Sequence, residues 1–297
     1  LVYAEKGSMN VKVTVVLDEG PYSLLKVTGG ERANIVPERS TALLKVPAGS
    51  ELLIIDELKA GIAAVKELVG GPGPLSFGFT PKDGEVAISC VGKACHASVP
   101  SEGTNAVTAV LHLVTSLGDK LSSSPYVKFA SDAGDIYGKG LNIDSEDDIS
   151  GKLSCNLGVC RTDEVDGKRV LTAIYNIRYP VKISGEELKH RALNCDRPET
   201  DQIAVEVMSL SKSHYTDPES FLVKELLRVY REETGDNSPP ITIGGGTYAR
   251  VIPGGVAFGP VLPGTTETAH QANEFLPIET LLLLVKIYAR SLYALAR

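Results

Sequence analysis

Short apolar runs of strand period alternate along this chain with apolar stripes of helical period, and that alternation confines the fold to sheets covered by helices. The strand runs fall at about Val11 to Leu17, Tyr22 to Thr28, Thr41 to Val46, Glu85 to Val91, Leu153 to Arg161, Arg169 to Tyr179 and Ile203 to Ser211. Leu58, Ile62, Val65 and Val69 step by three and four residues behind an Asp56 cap and stop at Gly70-Gly71, which predicts an amphipathic helix. Val107, Val110, Leu111, Val114 and Leu117 repeat the pattern, and Ser184 with Glu187 forms a capping box for a short helix ending near Asn194. These segments read as two successive strand-and-helix units, one ending near Leu117 and one spanning about Tyr126 to Ser211, each a sheet with helices on one face.

The texture changes at Asp217. Asp217 is the expected cap, Pro218 the first helical residue, and Leu222, Leu226, Val229 and Tyr230 the buried stripe until Gly235. Strands are expected at Ile241 to Ile243 and Val256 to Phe258, and a last helix from Pro277 to Arg297 with Leu281, Val285, Tyr288, Leu292 and Leu295 on its packing face. Two strands and two helices bury little core, so this segment needs a partner. Leu1 to Ala4 reads as one more strand, entered without an initiator Met, which suggests a processed or cut chain.

Charge and cysteine usage then exclude several classes. With 30 basic against 37 acidic residues the formal charge is −7, and no Lys/Arg cluster stands among aromatics, so nucleic acid is not an expected partner. The apolar run Leu281 to Val285 is far shorter than the ~20 residues of a membrane span. No leader pattern opens the chain, and it reads as soluble and cytoplasmic. The 5 cysteines form no C-x-x-C pair and read as reduced, buried thiols. The acidic run Asp144 to Asp148 lacks the Gly and closing Glu of an EF-hand and reads as a solvated loop.

A few residues could carry chemistry. His270, beside Glu267 and Glu274 before the last helix, is either a zinc ligand or a capping or surface histidine. Gly244, Gly245 and Gly246, followed by Thr247 and Arg250, form either a tight turn or a place where backbone amides approach an anion, with Arg250 available to a carboxylate or to an ion pair. His96, flanked by small residues at a strand end, is either a loop histidine or a donor to a developing oxyanion. Arg178, late in a strand, reads as a salt-bridge residue, and Asn34 as a turn residue. His112, His190 and His214 read as structural or solvated, with His214 in a linker.

Together, Tyr3-Ala-Glu-Lys-Gly7, Glu31-Arg-Ala-Asn-Ile-Val-Pro37, Gly92-Lys-Ala-Cys-His-Ala-Ser98, Glu102-Gly-Thr-Asn105, Leu157-Gly-Val159, Asn176-Ile-Arg-Tyr-Pro180, Gly244-Gly-Gly-Thr-Tyr-Ala-Arg250 and Ala269-His-Gln-Ala-Asn-Glu274 resemble the dinuclear-zinc metallopeptidases that include aminoacylases, desuccinylases and carnosinases, most closely bacterial Xaa-dipeptidases of the PepV type. The likeness covers nearly the whole chain. It implies a mixed α/β and α+β architecture: a two-lobed ferredoxin-like lid inserted in an α/β zinc-peptidase domain of which the C-terminal portion is present. Residues 1–8 would be the last strand of the N-terminal catalytic half. Residues 9–212 would be the lid, with lobes at about 9–120 and 121–212, and residues 213–297 the C-terminal catalytic part.

By the same resemblance the substrate is a dipeptide and the complete enzyme holds two zinc ions, with Mn or Co as substitutes. His270 would ligate zinc and His96 would polarise the scissile carbonyl. Arg178 would grip the C-terminal carboxylate, Asn34 would reach the substrate, and Gly244, Gly245, Gly246, Thr247 and Arg250 would line its site. The family also supplies an upstream His-x-Asp, a bridging Asp, a Glu-Glu pair and a further carboxylate, and none of these has a counterpart in this chain. One His cannot hold two metals, so these residues by themselves are expected to show little or no activity. The paired lobes imply a monomeric parent. Rival expectations are an N-acyl-amino-acid amidohydrolase of the same family and a non-catalytic binding or assembly module.

Overall fold

The computed structural model describes residues 1–266, 268 and 273–297. The chain forms two compact units, Gly7–Lys212 and a smaller one made of Leu1–Lys6 with Ser213–Arg297.

In the larger unit the strands are β2 (Gly7–Val16), β3 (Ser23–Gly29), β4 (Arg39–Lys45), β5 (Ser76–Lys82), β6 (Glu85–Val91), β9 (Ser154–Val165), β10 (Lys168–Tyr179) and β11 (Ile203–Ser211), with β7 (Glu146–Asp147) and β8 (Gly151–Lys152) as a small separate hairpin. The eight long strands form one antiparallel sheet in the order β11-β2-β10-β9-β3-β4-β6-β5. Period-two chemistry builds it: Met9, Val11, Val13 and Val15 of β2 are fully buried while Ser8, Asn10, Lys12 and Thr14 alternate with them on the other face. Helices α1 (Glu51–Val69), α2 (Ala106–Thr115), α3 (Ser124–Asp132) and α4 (Gly185–Leu193) add Leu58, Val110, Val127 and Leu188 to the same core.

The expected division into lobes near residue 120 differs from this topology. β2 lies between β10 and β11, so the first strand of the unit belongs with the last two. The two four-stranded halves are also continuous: β3 and β9 join them through the short register Thr28↔Arg161 and Gly29↔Cys160. Strand pairing of this range is decided by which apolar faces meet, which local pattern does not contain.

Other expectations shift for local reasons. Helix α1 begins at Glu51, ahead of Asp56: Ser50 takes the N-cap position, and Ile54 and Ile55 extend the buried face one turn further towards the N-terminus. Asp147 is no solvated loop residue: it accepts hydrogen bonds from the amides of Ile149, Ser150 and Lys182 and the Ser150 hydroxyl, closing the β7–β8 hairpin. All five cysteines are free; burial raises the thiols of Cys90 and Cys160 to about 12 and raises Cys155 further.

The smaller unit has a three-stranded sheet, β12 (His214–Tyr215), β1 (Val2–Glu5) and β13 (Ile241–Ile243), with β1 antiparallel to β12 and parallel to β13. His214 is therefore in a strand, not a linker. Helix α5 (Phe221–Thr234) starts later than expected: Ser220, not Asp217, caps it by accepting from the Val223 amide, while Asp217 accepts from Glu219 in the preceding turn. Val256 to Phe258 forms only a bridge from Ala257 to Val2. In α6 (Ile278–Leu295) the buried face is Leu284, Ile287 and Ser291, and the expected stripe members Leu281, Val285 and Leu292 are exposed. Among the described residues no helix is long and apolar enough to cross a membrane.

Candidate functional site

The structure brings Asn34 and His96 together by their backbones. Ile35 and His96 form an isolated antiparallel bridge. The Val36 amide donates to the Cys95 carbonyl at 2.9 Å and the Ala97 amide to the Asn34 carbonyl at 3.0 Å. Two glycines let this pair of segments settle on β9. A Cβ on Gly30, whose φ is +75°, would lie 1.9 Å from the Gly158 carbonyl oxygen, and a Cβ on Gly158 would lie 2.2 Å from that of Ala33. Ser154 of β9 adds a hydrogen bond from its hydroxyl to the Ala97 carbonyl at 3.3 Å.

The His96 ring is exposed and oriented. The Ser98 amide donates to Nδ1 at 3.2 Å, so Nδ1 is an acceptor and the neutral ring carries its proton on Nε2. The Ser98 hydroxyl lies 2.7 Å from the same nitrogen.

Arg178 stands on β10 in register with Ser154 of β9 and Ser8 of β2. Its Nε donates to Asn176 Oδ1 at 3.1 Å; Asn176 donates to Asn10 at 2.8 Å, and Asn10 to the Ser209 hydroxyl at 2.9 Å. Asn156, Asn176 and Asn10 are neighbours in register across β9, β10 and β2. Asn156 and Asn176 are 1% and 4% exposed, and both are hydrogen-bonded. Asn156 in turn donates to the carbonyls of Ala33 and Ile35, on either side of Asn34. Asn176, the partner of Arg178, thus lies in register beside the Asn156 that holds the Asn34 segment. Sequence reading missed this row, because each member is one polar residue inside an otherwise apolar run.

A cavity of about 690 Å³ in the same unit is lined by Asn105, Asn156, Thr108, His112 and Asp132 among others, and not by Asn34, His96 or Arg178. Burial lowers the pKa of His112, and Asp132, 4.0 Å away, opposes that shift.

In the smaller unit Gly244, Gly245 and Gly246 follow β13, and the residues after them close on Glu5 at the end of β1. Thr247 donates to the Glu5 carboxylate through its amide at 2.9 Å and through its hydroxyl. Arg250 donates to it from Nε at 2.9 Å and to the carbonyls of Lys6 and Gly245 from Nη2. Thr247 and Arg250, expected to line a substrate site, hold an internal, fully buried carboxylate with these atoms. Burial pushes the Glu5 pKa up, but the bonds from Thr247 and Arg250 outweigh it and hold the group below its ordinary value. His270 lies outside the described residues. Among the described residues no three His, Cys, Asp or Glu side chains gather as a metal site would need.

No family model matches the chain. It is 32% identical over 311 residues to a Bacillus subtilis protein named Putative dipeptidase YtjP, covering 100% of this chain and 62% of that one. A Staphylococcus epidermidis protein of the same general name is 31% identical, with 99% of this chain and 61% of that one covered. The chain therefore spans about 62% of the length of the first of these relatives. Among solved structures, the aminoacylhistidine dipeptidase from Vibrio alginolyticus is 15% identical with a TM-score of 0.47, covering 98% of this chain and 62% of that one.

Proposed function

We propose that this chain carries the substrate-holding residues of a metal-dependent dipeptidase. The observation that carries the reading is the backbone pairing of Asn34 with His96 on β9, with Arg178 on the adjoining strand β10, where its partner Asn176 lies in register with the Asn156 that holds the Asn34 segment. The names of the relatives supply the substrate class, a dipeptide. In this reading Gly7–Lys212 is the lid, and the smaller unit belongs to the catalytic domain.

The roles follow from the groups presented. The planar Arg178 guanidinium binds the C-terminal carboxylate of the dipeptide. His96 donates its Nε2 proton towards the scissile carbonyl oxygen, and that bond strengthens as the oxygen gains charge; one such donor is worth roughly 10²–10³ in rate. Asn34 supplies a further amide contact to the substrate. His270 as a zinc ligand rests on the sequence resemblance alone. The described residues do not fit a metal, because no sufficient donor group gathers among them, and the roles given to His96, Asn34 and Arg178 need none.

Calorimetric titration of alanyl-alanine and of its C-terminal amide tests the reading. The free carboxylate should bind at least ~10-fold more tightly, and Arg178→Ala should erase the difference. Equal affinity for acid and amide in the native chain would sink it.

A further inference from the structure

The polar atoms of Asn105 and Asn156 run in one direction only. Asn105 is the N-cap of α2, and its Oδ1 accepts from the amides of Val107 at 3.0 Å and Thr108 at 3.1 Å. Backbone amides only donate, so an oxygen is required there and the Asn105 NH2 must face the other way. It donates to the Leu157 carbonyl at 2.8 Å and to Asn156 Oδ1 at 3.1 Å. With that oxygen engaged, Asn156 must turn its own NH2 onto carbonyls, and it donates to Ala33 at 3.0 Å and Ile35 at 2.9 Å. Those residues flank Asn34, whose carbonyl accepts from Ala97, the neighbour of His96.

A helix cap needs only the oxygen of Asn105, and a structural polar residue under β9 needs only to be satisfied. Here every donor and acceptor of two amides is committed, and the last two bonds bracket the segment that presents Asn34. We infer that Asn105 and Asn156 are positioning residues: an amide relay that starts on the first-turn amides of α2 and fixes Asn34 and His96 for substrate. This inference rests on the function proposed above. Reversing either amide would place oxygen against carbonyl oxygen, so the relay has one stable setting.

Asn105→Asp separates the relay from the cap, because Asp caps a helix as well as Asn but donates nothing. Asn156→Asp keeps volume and acceptor and removes both donors. Amide hydrogen exchange on the full 297-residue chain reads the relay directly. In both variants Ala97 and Val36 should exchange at least ~10-fold faster, while Leu111 within α2 stays within about twofold of native. Alanyl-alanine, followed at the His96 ring by NMR, should bind about 10-fold more weakly, the loss expected from one hydrogen bond of ordinary strength.

Unchanged exchange at Ala97 and Val36 would overturn the inference. So would an equal loss of protection at Leu111 in Asn105→Asp, which would mean that only the cap had been disturbed. If the native chain shows no His96 response to the dipeptide, the functional reading fails, and exchange at Ala97 and Val36 still judges whether the relay holds the segment.

Discussion

Glu5 keeps its charge inside the smaller unit because Thr247 and Arg250 surround it with donors. Glu5→Gln keeps the shape and removes the charge, leaving Arg250 without its counter-ion. Arg250 is 20% exposed, so the cost falls below that of a fully buried pair, at about 2–3 kcal/mol by urea unfolding at pH 7. The pH dependence follows from the direction of the shift. Because the folded-state pKa lies below the ordinary glutamate value of 4.5, the stabilisation is complete above that value and is lost as pH falls through the folded pKa. The native chain should lose its advantage over Glu5→Gln progressively as the pH falls below 4.5. His112 works in the same direction through burial of its neutral ring, since its pKa is lowered from 6.5. The stabilisation is present above that value and fades as pH falls below it, so His112→Gln should flatten the stability profile between pH 7 and pH 5. An unchanged profile would show that the ring pays no desolvation cost on ionising.

Among the elements, the segment carrying Asn34 depends most sharply on a single atom. Gly158→Ala would drive a methyl group into the Ala33 backbone, which cannot yield without lifting the segment off β9. It should cost about 2–4 kcal/mol and abolish exchange protection at Ala97; a cost under about 0.5 kcal/mol would mean that the segment does not sit against β9. Elements bounded by strong local punctuation were legible in the sequence. Strand β6 follows the Asp83-Gly84 turn, helix α4 follows the Ser184 cap, and α5 stops at Gly235 in the left-handed region, each where expected. Elements without such signals were missed. Helix α3 begins behind Ser123 at positive φ, with no side-chain cap, and edge strand β5 contains Gly78 and Pro81, which read as loop. His96, Arg178 and Asn34 could be picked out singly, but their connection could not. It depends on Asn156 and Asn176, which become neighbours only when β10 and β9 find their register.

At the scale of the whole molecule the two units differ in how much core they own. The larger unit buries one continuous cluster from Met9 to Ile203, whereas the smaller one relies on Ala4, Val223, Leu226, Leu227, Val229, Leu284 and Ile287. The sequence already indicated that two strands and two helices in the C-terminal segment would bury little. It misjudged which side of α6 is covered, because that helix is apolar on two faces and periodicity alone does not choose between them. Backbone amides of α5, Leu226 for example, should therefore exchange at least ~100-fold faster than those of β10 such as Tyr175. The two faces of α6 give the sharper test. Ile287→Ala should cost about 2–4 kcal/mol in urea unfolding, since its side chain is almost wholly enclosed. Leu282→Ser, at a position 65% exposed, should change stability by less than about 0.5 kcal/mol. Comparable losses at both positions would mean that the face formed by Ile278, Leu282 and Val285 is covered in solution.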